Sequence, residues 1–300
     1  MKTKTINLSD FKVREGNKFS LSDFPTDYKQ KSIEKETGEE ELRKDIEELS
    51  ALQDKLYADN RHAVLIVIQA MDAAGKDGTI KHIMSGVNPA GVQITSFKSP
   101  STIELDHEYL WRHYLVLPAK GMIGIFNRSH YENVLVTKVH PEFLMNENLV
   151  KVNSPGDINK AFWNKRYKQI VRFEKTLIEN GTVVIKFFLH VSKDEQKKRF
   201  LERIENPDKN WKFSAADLKE RAHWDEYQKA YEEAIKHTST DKAPWYIIPA
   251  DDKWFTRYLI SKIIVKELRK LKLSYPVISD EQKAALALAK ENLLKEEPRE

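Results

Sequence analysis

The sequence predicts an α/β fold in which a parallel β-sheet is flanked by helices. Its clearest sign is a near-continuous apolar run rich in β-branched residues, Ala63–Ala70, which is typical of a strand buried on both faces. Further strand candidates alternate with stretches of helical periodicity, and that alternation indicates right-handed βαβ units. The four later strands are predicted at Val92–Ser96, Ile123–Phe126, Val183–Leu189 and Trp245–Pro249.

The composition is that of a globular protein. The 300 residues are 40% hydrophobic and 32% charged, enough to bury a sizeable core. The formal net charge of only +4 argues against a protein that coats nucleic acid without sequence preference. The absence of cysteine excludes disulfides, thiol catalysis and zinc–thiolate sites. A polar N-terminus and the lack of any apolar run of about 18 residues predict a cytoplasmic protein without a membrane span.

The predicted organisation is a short arm followed by one domain. Residues 1–30 are polar and mixed, and we expect them to form an arm on the surface. Thr37 and Glu40 make the pattern of a capping box, which predicts a first long helix ending near Tyr57. Residues 31–300 are expected to form a single domain with helical extensions, because no internal repeat or low-complexity linker divides them.

Further helices are predicted along the chain. Ser279 and Gln282 cap a last amphipathic helix, Ala284–Lys295, which Pro298 follows. Residues 140–160 lack periodicity and are expected to form an excursion from the sheet. Two other helices are indicated by apolar residues that recur on one face: Trp163, Tyr167, Ile170, Phe173 and Leu177, and then Phe255, Leu259, Ile263, Leu268 and Leu271.

A loop of small residues separates the first strand from a helix, and it has the features of a phosphate-binding loop. Backbone N–H groups converge in such a turn, the helix N-terminus adds partial positive charge, and Lys76 adds a full one. The loop departs from G-x-x-x-x-G-K-[ST], since Ala70 replaces the first glycine and Asp77 the metal-binding hydroxyl. Asp72 is therefore the candidate ligand for Mg²⁺. The alternative is an ordinary strand–turn–helix with a fortuitous Gly-Lys pair. The predicted phosphate contacts are Ala73, Ala74, Gly75, Asp77, Gly78 and Thr79.

A second polar cluster follows the strand Ile123–Phe126. In a parallel sheet the ends of these strands lie on one edge, so Asn127 and Arg128 are expected near the phosphate loop. Arg128 can clamp a phosphate bidentately, which lysine does poorly. The alternative is a solvated loop arginine beside a capping asparagine.

At these motifs the sequence resembles the polyphosphate kinases of type 2. The resemblance runs from about Asp27 to Val277, and class III of that family is indicated by Asn127 and Glu132, where other branches tend to carry aspartate and asparagine. It implies a P-loop kinase-like fold, with Asp72 and Lys76 as Walker A metal and phosphate groups and Glu132 supplying charge that Asn127 lacks. The motifs occur in the family's order: DAAGKDGTIKHIM, NPAGVQITSFKSPS, YLWRHY, GIFNRSHYENVLV, KNWKFSAADLKERAHWDEY and APWYIIPADDKWFTR.

A helical lid is predicted at about residues 205–220. It resembles the lids of nucleotide kinases, which bring cations over the transferring group and exclude water. Trp211 is either an exposed lid anchor or a core plug, and both interpretations stay open. A polyphosphate chain needs cations along its path, although each one singly could be a solvated side chain. The candidates are Lys81, Lys98, Arg112, Arg203, Lys209 and Lys212, and the full catalytic set is Asp72, Lys76, Asn127, Arg128, Glu132 and Arg199, with Asp72 and Glu132 as metal ligands.

The resemblance implies reversible transfer of the terminal phosphate of inorganic polyphosphate to AMP and ADP. Mg²⁺ is the expected cofactor, with Mn²⁺ as a second candidate. Adenine nucleotides are the expected partners, guanine nucleotides a second candidate, and a homodimer or homotetramer the expected assembly; no nucleic acid or membrane partner is expected. The rival interpretations are a nucleoside or nucleoside-monophosphate kinase that uses ATP, and a non-catalytic binder of nucleotide or polyphosphate.

Overall fold

Five parallel strands form one sheet in the computed structural model, which describes residues 6–16, 18–28 and 33–296. The strands lie in the order β2-β3-β1-β4-β5, flanked by helices, so the predicted α/β fold is confirmed. Each predicted strand is present, β3 being longer by one residue and β4 by one residue at each end. The strands are β1 (Ala63–Ala70), β2 (Val92–Ser96), β3 (Ile123–Asn127), β4 (Thr182–His190) and β5 (Trp245–Pro249).

The helices lie between and beyond these strands. None within the described residues is long and apolar enough to cross a bilayer. Their bounds are α1 (Lys35–Asp59), α2 (Lys76–Ile83), α3 (Thr102–Leu105), α4 (Trp111–Tyr114), α5 (Val136–Val139), α6 (Lys160–Glu179), α7 (Lys193–Glu205), α8 (Ala215–Ala222), α9 (Trp224–Thr238), α10 (Lys253–Arg269) and α11 (Asp280–Leu294).

Helix α1 begins one turn before the predicted capping box. Thr37 lies inside its first turn and Glu34 takes the N-cap position, so the capping box of Thr37 and Glu40 is wrong. The reason is tertiary packing: Gly38 lies against the Trp254 ring so closely that a Cβ would come within 2.4 Å of it. Contact with α10 therefore extends the helix beyond what its own sequence signals.

The N-terminal arm is attached to the sheet more closely than a surface arm would be. Val13 donates its N–H to the carbonyl of Trp245 at 2.9 Å, and Lys12 forms an antiparallel bridge with Tyr246. Val13 and Leu21 are buried. The arm thus covers the free edge of β5, a protection that exposed sheet edges require. Residues 1–5, 17, 29 and 30 of the predicted arm lie outside the described residues.

The remaining helical predictions differ from the structure mainly at their ends. Helix α10 ends at Arg269, so Leu271 lies just beyond it. Residues 140–160 make the predicted excursion, with short 3-10 turns at Pro141–Glu147 and Pro155–Asp157. Helix α11 has the predicted capping box of Ser279 and Gln282 but buries none of its residues. Pro298 lies outside the described residues.

A buried charged network joins the sheet to α6 beneath the end of β3. Lys186 of β4 donates to Glu174 Oε2 at 2.6 Å, to the Tyr131 hydroxyl at 3.1 Å and to the Thr238 carbonyl at 2.7 Å. The Tyr131 hydroxyl donates to Glu174 Oε1 at 2.7 Å, and His130 Nε2 lies 3.3 Å from the same oxygen. Although burial opposes ionisation, the Lys186 ammonium holds the pKa of Glu174 below its usual value. The network anchors the segment that follows β3.

Breaking this network should destabilise the protein strongly. Lys186→Met leaves the Glu174 carboxylate buried without its counter-ion, so we expect a loss of about 3–5 kcal/mol in the free energy of unfolding. The matched control is Lys175→Met, which breaks an exposed pair with Glu179 on the same helix and should change stability by less than about 0.5 kcal/mol. Equilibrium urea unfolding measures both. Equal stabilities for the two variants would show that the network contributes nothing beyond a surface pair.

Candidate active site

The candidate site lies at the edge of the sheet where the strands end. Ile68 of β1 is paired with Asn127 of β3, and Ala70 with Leu189 of β4, so the segments after all three strands meet. Arg128 continues the ladder by donating its N–H to the Ile68 carbonyl at 3.1 Å. Parallel strands with their carboxyl ends together form the usual ligand crevice of open α/β sheets. The two polar clusters of the sequence are thus brought together as predicted.

The loop after β1 has an unusual backbone conformation and leaves two of its amides without an acceptor in the described chain. Ala73 has a φ of +58° and Gly75 a φ of +103°, both in the left-handed region. Within the described chain, the N–H groups of Ala73 and Gly75 donate to no acceptor. The amides of the first turn of α2 have no intrahelical acceptor either, as at any helix start. Together these groups form a cradle suited to an anion.

Lys76 lies at the start of α2 and turns back over the loop. Its ammonium donates to the carbonyls of Ala70 at 3.1 Å and Met71 at 3.3 Å. Burial, and then the positive charge of Arg128, lower the pKa of Lys76 to about 8, while the carboxylate of Asp72 opposes this shift. The ammonium is therefore beside the loop and under-neutralised, so an arriving phosphate would stabilise its charged form.

Arg128 bridges the two predicted metal ligands. Its guanidinium forms an ion pair with Asp72, and Nη1 lies 3.5 Å from Glu132 Oε2. Glu132 and Asp72 raise the pKa of Arg128, whereas burial opposes them. Burial would raise the pKa of Asp72, but Lys76 and then Arg128 hold it below its usual value. Asp72, Lys76, Arg128 and Glu132 thus form one cluster of alternating charge.

The oxygen atoms around this cluster suit a hard cation. Within the described residues, Glu132 Oε1 and Asn127 Oδ1 are buried without a hydrogen-bond donor. Asn127 Nδ2 donates to Asp77 Oδ1 at 2.7 Å, which aims the amide oxygen away from that carboxylate. Mg²⁺ often takes one or two carboxylates together with substrate phosphate, so the donor set fits it. No group of three or more acidic or histidine side chains forms a ready-made metal cage in the described residues.

Arg199 is placed differently from the phosphate-facing catalytic arginine that the sequence suggested. It is 5% exposed, and its guanidinium donates to the carbonyls of Ala73 at 3.1 Å and Ala74 at 2.8 Å. It also donates to the Ala250 carbonyl at 2.6 Å and, through Nε, to Glu195 at 2.8 Å. Because these donors are engaged by protein oxygens, the geometry favours a role in shaping the loop over one in touching phosphate.

The lid is interrupted as predicted, with a 3-10 turn at Pro207–Lys212 between α7 and α8. Arg203 lies 3.6 Å from Asp217 on α8. Its positive charge also helps to lower the pKa of Asp72, after the larger effects of Lys76 and Arg128. Trp211 is 78% exposed, so of the two interpretations the lid anchor fits and the core plug is wrong. Lys209 and Lys212 are exposed on the lid.

Among the described residues, the other predicted cations form no ion pair with the charged cluster, although Glu132 of the cluster acts on Arg112: burial lowers the pKa of Arg112, and the charges of Glu104 and Glu132 oppose this. Lys81 and Lys98 are exposed, the first on α2 and the second after β2. Arg112 is more constrained: Nε lies 3.2 Å from Glu104, Nη2 donates to the Lys98 carbonyl at 2.9 Å, and the guanidinium lies over the Phe97 ring. Within the described residues, Lys81 and Lys98 make no side-chain contact that would fix them at the site, and their binding role stays a prediction.

Two residues near the site were missed from the sequence. Gln196 donates from Nε2 to the Asp72 carbonyl at 2.9 Å, and the buried Tyr231 lies close enough for Glu132 and Arg128 to affect its pKa, which burial raises well above the usual value. The spacing of Gln196, Arg199 and Arg203 on one face of α7 was the signal that could have found the first. Tyr231 carries no such signal, since its helix positions also fit an ordinary core.

Comparison with known proteins identifies a family for this arrangement. The profile described as "Polyphosphate kinase 2 (PPK2)" matches residues 32–275. An ADP-polyphosphate phosphotransferase of Rhodopseudomonas palustris is 50% identical over 98% of this chain and 100% of its own length. An AMP/ADP-polyphosphate phosphotransferase of Meiothermus ruber is 46% identical over 90% of this chain and 96% of its own. The crystal structure of polyphosphate kinase 2 from Arthrobacter aurescens TC1 superposes with a TM-score of 0.82 at 37% identity, covering 93% of this chain and 95% of the other.

The lowered pKa of Lys76 gives phosphate binding a defined pH dependence. A polyanion favours the ammonium, so binding takes up a proton whenever the free protein has lost it. The affinity for long-chain polyphosphate, measured by calorimetry without metal, should be nearly constant below pH about 8 and then fall by up to about tenfold per pH unit. Long chains are used because their interior units do not titrate in this range.

Lys76→Arg is the matched control. A guanidinium stays protonated throughout, so the variant should lose the decline above pH about 8 even if its affinity is lower. The same decline in both proteins would assign it to a group other than Lys76.

Proposed function

This chain belongs to the polyphosphate kinase 2 family, and we propose that it transfers the terminal phosphate of inorganic polyphosphate reversibly to AMP and ADP. The observation that carries the proposal is the cluster of Asp72, Lys76, Arg128 and Glu132 beside the unpaired amides of the loop. The activities named for the two relatives of similar length support the choice of substrates. Class III, in which both monophosphates and diphosphates are acceptors, is part of the proposal and is supported by the Asn127 and Glu132 pattern.

The residues of this chain would act by positioning and by charge. The loop amides and Lys76 bind and orient the phosphate to be transferred, and Arg128 neutralises charge that develops on it. The attacking group is already a phosphate anion, so no strong general base is needed. Lid cations such as Arg203 cover the site and help exclude water, which suppresses hydrolysis.

Mg²⁺ would be held by Asp72 and Glu132, with the free Oδ1 of Asn127 as a further oxygen donor. When bound, it supplies positive charge to the phosphate oxygens. Mn²⁺, which also accepts oxygen ligands, is a second candidate. The proposal further includes adenine nucleotides first and guanine nucleotides second, a homodimer or homotetramer, and the cytoplasm, where such nucleotides are found.

The donor distinguishes this proposal from an ATP-dependent nucleoside or nucleotide kinase. Protein incubated with AMP, Mg²⁺ and polyphosphate should form ADP and then ATP without any added triphosphate, as followed by ion-exchange chromatography. If AMP is converted only when ATP is supplied, the polyphosphate donor is wrong. If the protein binds polyphosphate but converts no nucleotide with either donor, it is a binder.

Removing the ammonium of the loop should abolish most of the transfer. Lys76→Ala is expected to lower kcat by at least about 10²–10³-fold, because a preorganised charge at the transferring group is lost, with little effect on unfolding. Lys266→Ala removes an exposed lysine of α10, away from the site, and should keep the unmodified rate. Initial rates of ADP formation compare the two variants. An unchanged rate in Lys76→Ala would show that the phosphate loop takes no part in the transfer.

A further inference from the structure

Helix α7 holds three successive carbonyls of the phosphate loop. Gln196 Nε2 donates to the Asp72 carbonyl at 2.9 Å, and Arg199 donates to those of Ala73 and Ala74 at 3.1 and 2.8 Å. In a planar trans peptide the N–H of the next residue points opposite to each carbonyl. Drawing these carbonyls towards α7 therefore turns the following amides away from it, including the unpaired amides of Ala73 and Gly75. The orientation of the anion cradle is thus set from behind, by side chains of α7.

Gln196 also contacts the lid. Its Oε1 accepts from Arg221 Nη1 of α8 at 2.7 Å, and the same nitrogen donates to the Lys193 carbonyl at 2.8 Å. Gln196 is 1% exposed, so water does not replace either partner. One buried amide therefore has its donor end on the phosphate loop and its acceptor end on the lid helix.

The two contacts fix the orientation of the amide jointly. A flipped Gln196 would set its NH₂ group against the Arg221 donor and its oxygen against the Asp72 carbonyl, which pairs like with like at both ends. Without Arg221, the bond to the Asp72 carbonyl is the one side-chain hydrogen bond left to Gln196 within the described residues, and a glutamine has several rotatable bonds to order. The seating of α8 on α7 is therefore linked to the order of the loop.

We propose that Gln196 is a positioning residue that couples the lid helix α8, through Arg221, to the orientation of the phosphate-loop amides. The coupling rests on the function proposed above, since it concerns the affinity of that same loop for polyphosphate. It predicts that a side chain on the lid, which need not touch the ligand, changes how tightly the loop binds phosphate.

A double-mutant cycle tests the coupling, with the affinity for long-chain polyphosphate as the readout. Arg221→Met should weaken binding about fivefold, and Gln196→Met about tenfold, as expected when a buried carbonyl loses its donor. The double variant should bind no more weakly than Gln196→Met alone, because the coupling requires that Arg221 affects polyphosphate affinity through Gln196 and not through its bond to the Lys193 carbonyl. Effects that multiply to about fiftyfold would mean that Arg221 acts on phosphate independently, and the coupling would be wrong.

Gln196→Glu separates the two contacts. A carboxylate still accepts from Arg221 but cannot donate to the Asp72 carbonyl, so this variant should bind polyphosphate as weakly as Gln196→Met. Because its charge is paired with Arg221, it also serves if Gln196→Met does not fold. If Gln196→Glu binds polyphosphate as tightly as the unmodified protein does, the proposed coupling is wrong.

Two controls separate this coupling from folding and from the proposed function. Lys219→Met removes an exposed charge from the same helix α8 and should leave the affinity for polyphosphate unchanged. A fivefold loss of affinity in this control would show that Arg221→Met weakens binding only because the lid has lost a positive charge. Thermal unfolding midpoints show that each variant is folded. If the unmodified protein binds no polyphosphate, the proposed function fails and the coupling with it, whereas equal binding by all variants removes the coupling alone.

Discussion

The last hydrogen bond between β1 and β3, from the Arg128 N–H to the Ile68 carbonyl, is the contact on which the candidate site depends. It fixes where the chain leaves β3, and a φ of +62° at Arg128 then turns the guanidinium across β1 to Asp72. A non-glycine residue in that conformation is strained by about 1–2 kcal/mol. The strain is offset locally by the ion pair with Asp72 and by the buried network of Glu174 and His130, which holds the segment that follows.

Strand β1 was predictable because burial on both faces selects a continuous β-branched run, as in Ala63–Ala70. The start of α1 was not predictable, because it depends on the packing of Gly38 against Trp254, which lies more than two hundred residues away in sequence. Topology alone could bring Arg128 to Asp72 and Lys76, whereas Glu132 was added only through the family resemblance. The contacts of Arg199 could not be predicted, since sequence shows that a cation lies near a phosphate loop but not whether it faces the ligand or the loop carbonyls.

Without phosphate, the charged cluster is balanced. Asp72 and Glu132 carry two negative charges, and Lys76 and Arg128 two positive ones, within one partly buried space. Arg128 is paired with both carboxylates, whereas Lys76 keeps part of its desolvation cost, as its lowered pKa shows. A phosphate that enters exchanges partners with these carboxylates instead of meeting isolated charges, which is how a site can be preorganised without being unstable.

The same balance explains why the loop cannot be sufficient for a polyanion. Every phosphate unit adds negative charge that the four clustered groups, being neutral in sum, do not match, so further cations must accompany the chain. Oxygen donors left free on Asn127 and Glu132 can admit a metal ion, and Arg203, Lys209 and Lys212 on the lid can supply the rest. In the proposed function, the position of α8 decides whether the lid cations reach the phosphate chain. The α7 contacts that shape the loop amides also seat α8, so the two sources of positive charge depend on the same helix.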